Sequence, residues 1–265
     1  MLRHNEMMDL GISNRTAIVC ASTAGLGLAS ARALAAEGAN VVIFGRRGDL
    51  SRREAEALPS AVGLEADLTD PEAPERVVDV ALATFGQVDI LVWNSGGPPL
   101  GAMVDQSLED VDAALDLLVR PLVRFTETVV PAMRNRRWGR VVAIGSSGVQ
   151  QPIPDLALSN LARPAVAGIC KTLANEVSGD GVTVNMVLPG RIATDRLTEH
   201  EAMRAGMEGV GVEEIRGRSL AMIPAGRFGG PDEFGRVVAF LCGEPAAYIT
   251  GSQIRVDGGV IASTH

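Results

Sequence analysis

A turn of small residues near the start of the chain has the composition of a phosphate-binding loop. An apolar, β-branched run at residues 16–20 predicts a buried strand, and a helical pattern begins near residue 26. Glycines at such a junction let the backbone approach a ligand, and a helix N-terminus favours an anion such as a diphosphate. The candidate ligand-binding residues are Ser22, Ala24, Gly25, Leu26 and Gly27. A glycine pair alone fits a plain tight turn equally well, but this one lies in the first strand–helix unit, where dinucleotide sites are built.

Two arginines follow the second predicted strand, where dinucleotide-binding folds distinguish NAD from NADP. A carboxylate at this position accepts a hydrogen bond from the ribose 2′-hydroxyl and repels a 2′-phosphate. Here the strand ends in Gly45, and Arg46 and Arg47 come next. Because the forked guanidinium group matches a phosphate geometrically, we predict NADP(H) as the cofactor in preference to NAD(H). The alternative is a pair of solvated arginines after an edge turn.

Polar residues and glycines also follow the third and fourth predicted strands. Asp67 and Leu68 end the third strand; Asp67 is a candidate acceptor for the adenine amino group, although a turn or capping aspartate fits the same position. Asn94 and Gly96 follow the fourth strand and are expected near the adenosine ribose, the alternative being a glycine-rich turn. In parallel α/β sheets ligands bind at the carboxyl ends of the strands, where all of these residues fall.

Alternating strands and helices must position these residues. Apolar runs predict seven strands, at 16–20, 41–44, 62–65, 89–93, 139–144, 183–188 and 253–256. Helices are predicted at 26–37, at 50–57, after Asp70-Pro71, at 106–135 with breaks near Pro121 and Pro131, up to about 178, and at 231–242. This order predicts one α/β domain over residues 1–265, a doubly wound parallel sheet (Rossmann fold) with helices on both faces. Residues 1–13 form a polar lead-in, and 191–226 a flap on the substrate side, in which Met203 and Met207 either line a pocket or simply pack.

Composition argues against several functions. The net charge of −8 and the absence of a basic stripe disfavour nucleic acid or an anionic membrane surface as partners. With no apolar run long enough to span a bilayer and no apolar stretch typical of a signal peptide in residues 1–13, we expect a cytoplasmic protein. The three cysteines lie far apart in apolar segments and are expected to be reduced core residues. His4, His200 and His265 lack metal-ligand spacing, which argues against a metal hydrolase.

Five segments in order resemble the short-chain dehydrogenase/reductase family, single-domain type, close to the 3-oxoacyl-acyl-carrier-protein reductases. The segments are 94–97, 139–146, 183–190, 225–229 and 248–259, and the likeness extends over residues 14–260. The family's first motif glycine is Ala21 here. The resemblance implies that Pro189, Gly190, Ile192 and Thr194 receive the nicotinamide carboxamide and the diphosphate. It also implies a small-molecule substrate and a homotetramer or homodimer.

The resemblance fails at the catalytic residues. The family uses Asn, Ser, Tyr and Lys, in which the Tyr protonates the substrate carbonyl and the Lys lowers the Tyr pKa and holds the nicotinamide ribose. Ungapped alignment places only the Ser, on Ser146; the Tyr position falls on Ser159, the Lys position on Arg163 and the Asn position on Leu118. A serine hydroxyl is a far weaker acid than a phenol. Ser146, Ser159 and Arg163 are therefore candidate catalytic residues that stabilise an oxyanion, with Arg163 also holding the ribose.

Two functions follow from this half-preserved site. The first is an NADP(H)-dependent oxidoreductase whose substrate, such as an enone, quinone or imine, needs no phenolic acid. The second is a non-catalytic NADP(H)-binding protein that regulates or scaffolds a partner.

Because proline disfavours helical geometry in the residue before it, we also expect the helix at Arg163 to begin near 160–164, with Pro164 in its first turn.

Overall fold

The structure, a computed structural model, describes residues 8–264 and shows a seven-stranded, wholly parallel sheet. Its strands are β1 Thr16–Val19, β2 Asn40–Gly45, β3 Ala61–Glu65, β4 Ile90–Trp93, β5 Gly139–Ile144, β6 Val182–Pro189 and β7 Gln253–Val256. Their order across the sheet is β3-β2-β1-β4-β5-β6-β7. The chain starts in the middle, builds outward to β3 and then returns beside β1 to build the other half. This confirms the predicted doubly wound Rossmann sheet, whose strand order reverses between β1 and β4.

Helices connect the strands and cover both faces of the sheet. They are α1 Gly25–Ala36, α2 Gly48–Glu56, α3 Ala73–Phe85, α4 Leu108–Leu118, α5 Arg120–Asn135, α6 Ala157–Val177, α7 Asp195–Glu208, α8 Val212–Ala221 and α9 Pro231–Cys242. Because strand side chains alternate between faces, one set of strand residues packs with α1 and α9 and the other with α3, α5 and α6. The two apolar layers hold the sheet rigid, so the loops at its carboxyl edge are positioned by a packed core on both sides.

Helix α6 differs from its prediction. It runs unbroken from Ala157 to Val177, so Pro164 lies inside the helix rather than in its first turn, and the expected start at 160–164 is wrong. Proline lacks the N–H that would bond to the carbonyl of Asn160. Packing compensates, since Leu158, Ala162 and Val166 are all buried on this helix. Residue 163, which precedes the proline, would by itself favour an extended backbone, but the burial of apolar residues on both sides of Pro164 outweighs that preference.

Other boundaries differ by smaller amounts. Helix α3 begins at Ala73, not directly after Asp70-Pro71, because the Asp70 carboxylate accepts a hydrogen bond from the Glu72 N–H (2.9 Å) and forms a turn first. The break predicted near Pro121 is present, between α4 and α5, whereas Pro131 lies inside α5. In the polar lead-in, residues 1–7 lie outside the described residues, and Leu10 and Ile12 are buried core residues.

The three cysteines are core residues. Cys20, Cys170 and Cys242 are buried and unbridged, as predicted, and burial raises the pKa of each thiol, to about 12 for Cys170 and Cys242. Such thiols are poor nucleophiles at neutral pH.

Within residues 8–264 no helix combines the length and apolarity needed to cross a membrane.

Candidate active site

A cleft of about 840 Å³ opens at the carboxyl ends of β1, β4, β5 and β6. Its position beside the reversal of strand order is where doubly wound folds bind their ligands. The structure brings most of the sequence-predicted site residues to this cleft: Ala24, Gly25, Leu26, Arg47, Asn94, Gly96, Ser146, Ser159, Arg163, Pro189, Gly190, Ile192 and Thr194. Ser22, Gly27, Arg46, Asp67 and Leu68 lie outside its lining.

The turn after β1 leaves the N-terminus of α1 facing the cleft. Gly25 opens the helix in a left-handed conformation (φ +56°), which favours glycine. Ala24 is the residue before the helix and, among the described residues, no side chain caps the first N–H groups of α1. These N–H groups have no intrahelical partner, so an anion at this end of the cleft would satisfy them. The turn therefore fits the diphosphate of a dinucleotide.

Asn94 and Gly27 hold the turn against the end of β4. The Asn94 amide donates to the carbonyls of Cys20 (3.2 Å) and Ala21 (3.1 Å). A Cβ at Gly27 would lie 2.7 Å from that amide nitrogen and 2.8 Å from the Ala21 carbonyl oxygen, so only glycine fits. Asn94 thus joins β1 to β4 with its amide while also lining the cleft.

Ser22 is buried beneath the turn rather than facing the ligand space. Its hydroxyl donates to the Val19 carbonyl (2.6 Å) and accepts from the Phe44 N–H (3.3 Å), so it connects β1 to β2. Arg47, at the end of β2, lines the cleft and reaches Thr23 (3.4 Å). Arg46 is exposed and lies outside the lining. Of the two arginines, Arg47 is the one placed to meet a ligand.

Asp67 forms a turn after β3. Its carboxylate accepts hydrogen bonds from the Thr69 N–H (3.0 Å) and hydroxyl (2.9 Å), and Leu68 beside it is buried. This is the turn aspartate of the alternative interpretation. The adenine contact of Asp67 stays a prediction.

Ser146, Ser159 and Arg163 meet on the substrate side of the cleft. Ser146 follows β5 and accepts a hydrogen bond from the Gly148 N–H (3.0 Å). One helical turn apart on α6, Arg163 donates from Nε to the Ser159 hydroxyl oxygen (3.2 Å). Arg163 Nη1 donates to the carbonyls of Ile144 (3.2 Å) and Gly145 (3.3 Å) at the end of β5. The guanidinium is therefore fixed against the strand that carries Ser146.

The charge of Arg163 is uncompensated. Burial lowers the pKa of its guanidinium to about 10, and the positive charge of Arg196 adds to the lowering. Within residues 8–264 no carboxylate lies in ion-pair distance of Arg163. At neutral pH Arg163 remains protonated, so the cleft presents a partly desolvated cation beside two serine hydroxyls. That arrangement suits a developing oxyanion, because a fixed charge acts more strongly where water is excluded.

Sequence reasoning missed two features of the site. Asn160 binds the backbone of Ile153 twice, donating to its carbonyl (2.8 Å) and accepting from its N–H (3.1 Å), which pins the cleft loop after Ser146. Helix α7 turns Arg196, His200 and Arg204 toward the cleft. Their spacing of four residues, which places side chains on one helix face, was the available signal. Met207 also lines the cleft, whereas Met203 does not.

Other sequence candidates stay outside the site. Tyr248 is fully exposed and does not line the cleft. Among the described residues no group of three His, Cys, Asp or Glu side chains is placed to hold a metal ion. His4 and His265 lie outside the described residues.

The fold and the cleft together define an α/β protein of the dinucleotide-binding type. Residues 20–261 match the family profile described as enoyl-(acyl carrier protein) reductase. The chain is 36% identical over 256 residues to dehydrogenase/reductase SDR family member 4 of Oryctolagus cuniculus, covering 94% of each chain. It is 33% identical over 253 residues to the 3-oxoacyl-acyl-carrier-protein reductase of Escherichia coli, covering 95% of this chain and 99% of that one.

Solved structures agree with the sequence relatives. L-sorbose reductase from Gluconobacter frateurii, complexed with NADPH and L-sorbose, superposes with a TM-score of 0.90 at 32% identity and covers 97% of this chain and 100% of its own. YwfH, an NADPH-dependent reductase involved in bacilysin biosynthesis, superposes with a TM-score of 0.89 at 26% identity, covering 95% of this chain and 100% of its own. The chain belongs to the short-chain dehydrogenase/reductase family of oxidoreductases.

Proposed function

We propose that this protein is an NADP(H)-dependent reductase of a carbonyl or conjugated small molecule, with Ser146, Ser159 and Arg163 in place of the family's catalytic set. The observation that carries the proposal is that these three side chains share one cleft with the uncapped N-terminus of α1. A ligand bound at α1 and a substrate at Ser146 would therefore meet in the same space. The NADPH-complexed and NADPH-dependent structural neighbours support the choice of cofactor.

The cofactor would be held along the carboxyl edge of the sheet. Leu26 and Gly25 at the start of α1 would meet the diphosphate, and Arg47 the 2′-phosphate. When bound, NADPH supplies the hydride. Ile192 and Thr194 are proposed to contact the nicotinamide end. A methyl carbon of Thr194 lies 3.9 Å from a Cβ position built on Gly25, so Thr194 lies beside the start of α1 and would also be near the diphosphate.

The serines supply hydrogen-bond donors to the reacting oxygen. Each serine oxygen already accepts a hydrogen bond, Ser146 from the Gly148 N–H and Ser159 from Arg163. Each hydroxyl hydrogen is left to donate to a substrate oxygen. Arg163 adds a positive charge as that oxygen becomes negative. No phenol is present to protonate it, which favours substrates whose product anion is delocalised and takes its proton from water.

The test follows NADPH oxidation by the purified protein against ketones, β-ketoacyl thioesters, enones, quinones and imines. Ser146→Ala is expected to lower kcat/KM by about 100-fold, as the loss of one oxyanion donor does in other enzymes. Thr84→Ala, on the exposed surface of α3, is the matched control and is expected to leave the rate unchanged. Turnover that Ser146→Ala leaves intact would contradict the assigned role of the serine.

The non-catalytic alternative rests on the replacement of the family Tyr and Lys by Ser159 and Arg163. It predicts a different outcome of the same experiment. NADPH would bind at micromolar concentration, measured by calorimetry, while every compound of the panel is left unreduced. That result would favour a regulatory or scaffold protein over a reductase.

A further inference from the structure

Besides Arg47, three arginines that line the cleft lack a carboxylate partner among the described residues. Within residues 8–264 no carboxylate oxygen lies within 4.0 Å of a guanidinium nitrogen of Arg163, Arg191 or Arg196. The flap does contain acidic residues, and three of them, Glu201, Glu208 and Glu214, form ion pairs with other arginines. Their pairs are Arg204–Glu208 at 3.0 Å, Arg218–Glu208 at 2.6 Å, Arg218–Glu214 at 2.5 Å and Arg216–Glu201 at 3.3 Å. The flap therefore pairs Arg204, Arg216 and Arg218 and leaves Arg191 and Arg196 without a counter-ion.

The unpaired cations face a common space. Arg196 lies directly on the backbone of Gly97 beyond the end of β4, where a Cβ would overlap its Nη2 atom. From there its charge acts on Arg163 across the cleft and on His200 one turn along α7. Burial, and then the charge of Arg204, lower the pKa of Arg191. These guanidinium groups are partly desolvated and repel one another, so an anion placed between them would be strongly favoured.

The carboxylates that line the same cleft do not fill this role. Asp155, Asp195 and Glu199 are exposed at its rim. Glu199 raises the pKa of Arg196 from a distance, although burial lowers it more. Glu201 acts on Arg191 in the same way, but its carboxylate is buried and paired with Arg216.

Apolar side chains line the same cleft as the arginines. Leu100, Leu156, Met207 and Met222 line the cleft, and both methionines are more than half exposed, at 66% and 55%. Flexible thioether side chains adapt to varied apolar shapes. The substrate end of the cleft thus combines an apolar wall with unpaired guanidinium groups.

We infer that the substrate carries a carboxylate on an apolar body, and that Arg196 and Arg191 bind this carboxylate while the reacting group lies at Ser146 and Arg163. The inference rests on the proposed function and deepens it. The competing anion is the diphosphate of the cofactor. Thr194, two residues before Arg196, lies against Gly25 at the start of α1, so Arg196 is the arginine that a diphosphate at α1 would engage. The N-terminus of α1 and Arg47 already provide for the phosphates of the cofactor, so a second anion would account for the remaining unpaired arginines.

The test uses an unreactive probe, so that it does not depend on turnover. Binding of 4-phenylbutyrate and of its methyl ester to the NADPH-loaded protein is measured by calorimetry. The acid is expected to bind at least 10-fold more tightly than the ester. Arg196→Gln and Arg191→Gln are each expected to weaken binding of the acid by at least 10-fold and to leave the ester unchanged, since a charge-assisted hydrogen bond is lost. Arg218→Gln removes a paired flap arginine of equal charge and is expected to change neither.

Two results would overturn the inference. Equal binding of acid and ester would show that the cleft does not recognise a carboxylate. A 10-fold loss of NADPH affinity in Arg196→Gln, with the acid-to-ester ratio unchanged, would show that the anion is the cofactor diphosphate. Reduction of 3-benzoylacrylate against its methyl ester then tests the reductase itself, so failure of the proposed reaction is separable from failure of the carboxylate site.

Discussion

Arg163 does more than replace a lysine. A lysine would present one point charge, whereas the guanidinium fork binds Ser159 and the carbonyls of Ile144 and Gly145 at once. These bonds fix the charge beside the β5 edge and orient the Ser159 hydroxyl. In the proposed function the residue would therefore combine a positioning role with an electrostatic one, without supplying a proton at neutral pH.

The lowered pKa of Arg163 predicts a basic limb in the pH–rate profile. Its pKa is lowered from the ordinary 12.5 to about 10, so the charged form is present below pH 10 and is lost as pH rises through it. The kcat for any substrate that the protein reduces is expected to be level between pH 7 and 9 and to fall above about 10. Arg163→Gln should be slower at pH 7 and lack this limb. A limb that survives in Arg163→Gln would assign it to another group.

Arg47 and Arg46 provide a matched pair for cofactor choice. Arg47 lines the cleft and Arg46 does not. Arg47→Ala is expected to weaken NADPH binding about 10- to 100-fold and NADH binding little, because only NADPH carries the 2′-phosphate. Arg46→Ala is the control, with a change below about 3-fold. Calorimetric titration with both nucleotides measures the effect, and an equal loss for NADH would refute a 2′-phosphate contact.

At the scale of single elements, α6 carries three residues of the candidate site, although Pro164 within it disfavours a helix. Ser159, Asn160 and Arg163 are on its first two turns, just before Pro164. Asn160 anchors the loop at Ile153, and its side-chain oxygen lies 2.7 Å from a Cβ position built on Gly148. The loop after Ser146 is thereby tied to the helix that carries Arg163.

Pro164 should cost the protein stability. In a helix interior, proline removes a backbone hydrogen bond and crowds the preceding turn, at about 3 kcal/mol. We expect Pro164→Ala to raise the free energy of unfolding by about 1–3 kcal/mol. Pro231→Ala is the control, because Pro231 opens α9, where proline is favourable and its removal should bring no gain. Urea denaturation measures the free energy of unfolding of both variants. If Pro164→Ala is no more stable than the parent protein, Pro164 does not destabilise the helix.

At the scale of the whole molecule, the edge opposite the cleft is held by Asp89. This carboxylate is fully buried and accepts hydrogen bonds from the Thr16 N–H (3.0 Å) and the Gln87 amide (2.9 Å). Arg15 and Arg136 lie 3.5 and 3.6 Å from it. It therefore joins β1 to the segments that lead into β4 and β5, and all three strands end at the candidate active site.

Removal of Asp89 should destabilise the entire domain. Asp89→Ala leaves buried donors and two arginines unpaired, for which we expect a loss of about 3–5 kcal/mol in the free energy of unfolding. Asp116→Ala breaks a solvent-exposed pair with Arg120 and is expected to leave the free energy of unfolding nearly unchanged. Thermal and denaturant unfolding of the two variants give the comparison, and similar losses in both would contradict a structural role for the buried carboxylate.

The sequence by itself determined the doubly wound sheet and the glycine turn, and it predicts that Ser159 and Arg163 replace the family Tyr and Lys. These features are local: apolar runs specify buried strands, glycines mark the close turn, and spacing along the chain reveals the replaced residues. Strands β5 and β7 and helix α9 begin and end where their residues predicted.

Only the tertiary structure decided what depends on distant contacts. The burial of neighbouring residues keeps α6 helical through Pro164. The hydroxyl of Ser22 faces inward and accepts a hydrogen bond from the Phe44 N–H. Of the two arginines after β2, Arg47 lines the cleft and Arg46 does not. That Arg191 and Arg196 lack a carboxylate partner became visible only when the ion pairs of the flap were known, since the sequence does not show which carboxylate each guanidinium reaches. Local preference is worth about 1 kcal/mol per residue, and packing and charge pairing across the fold outweigh it.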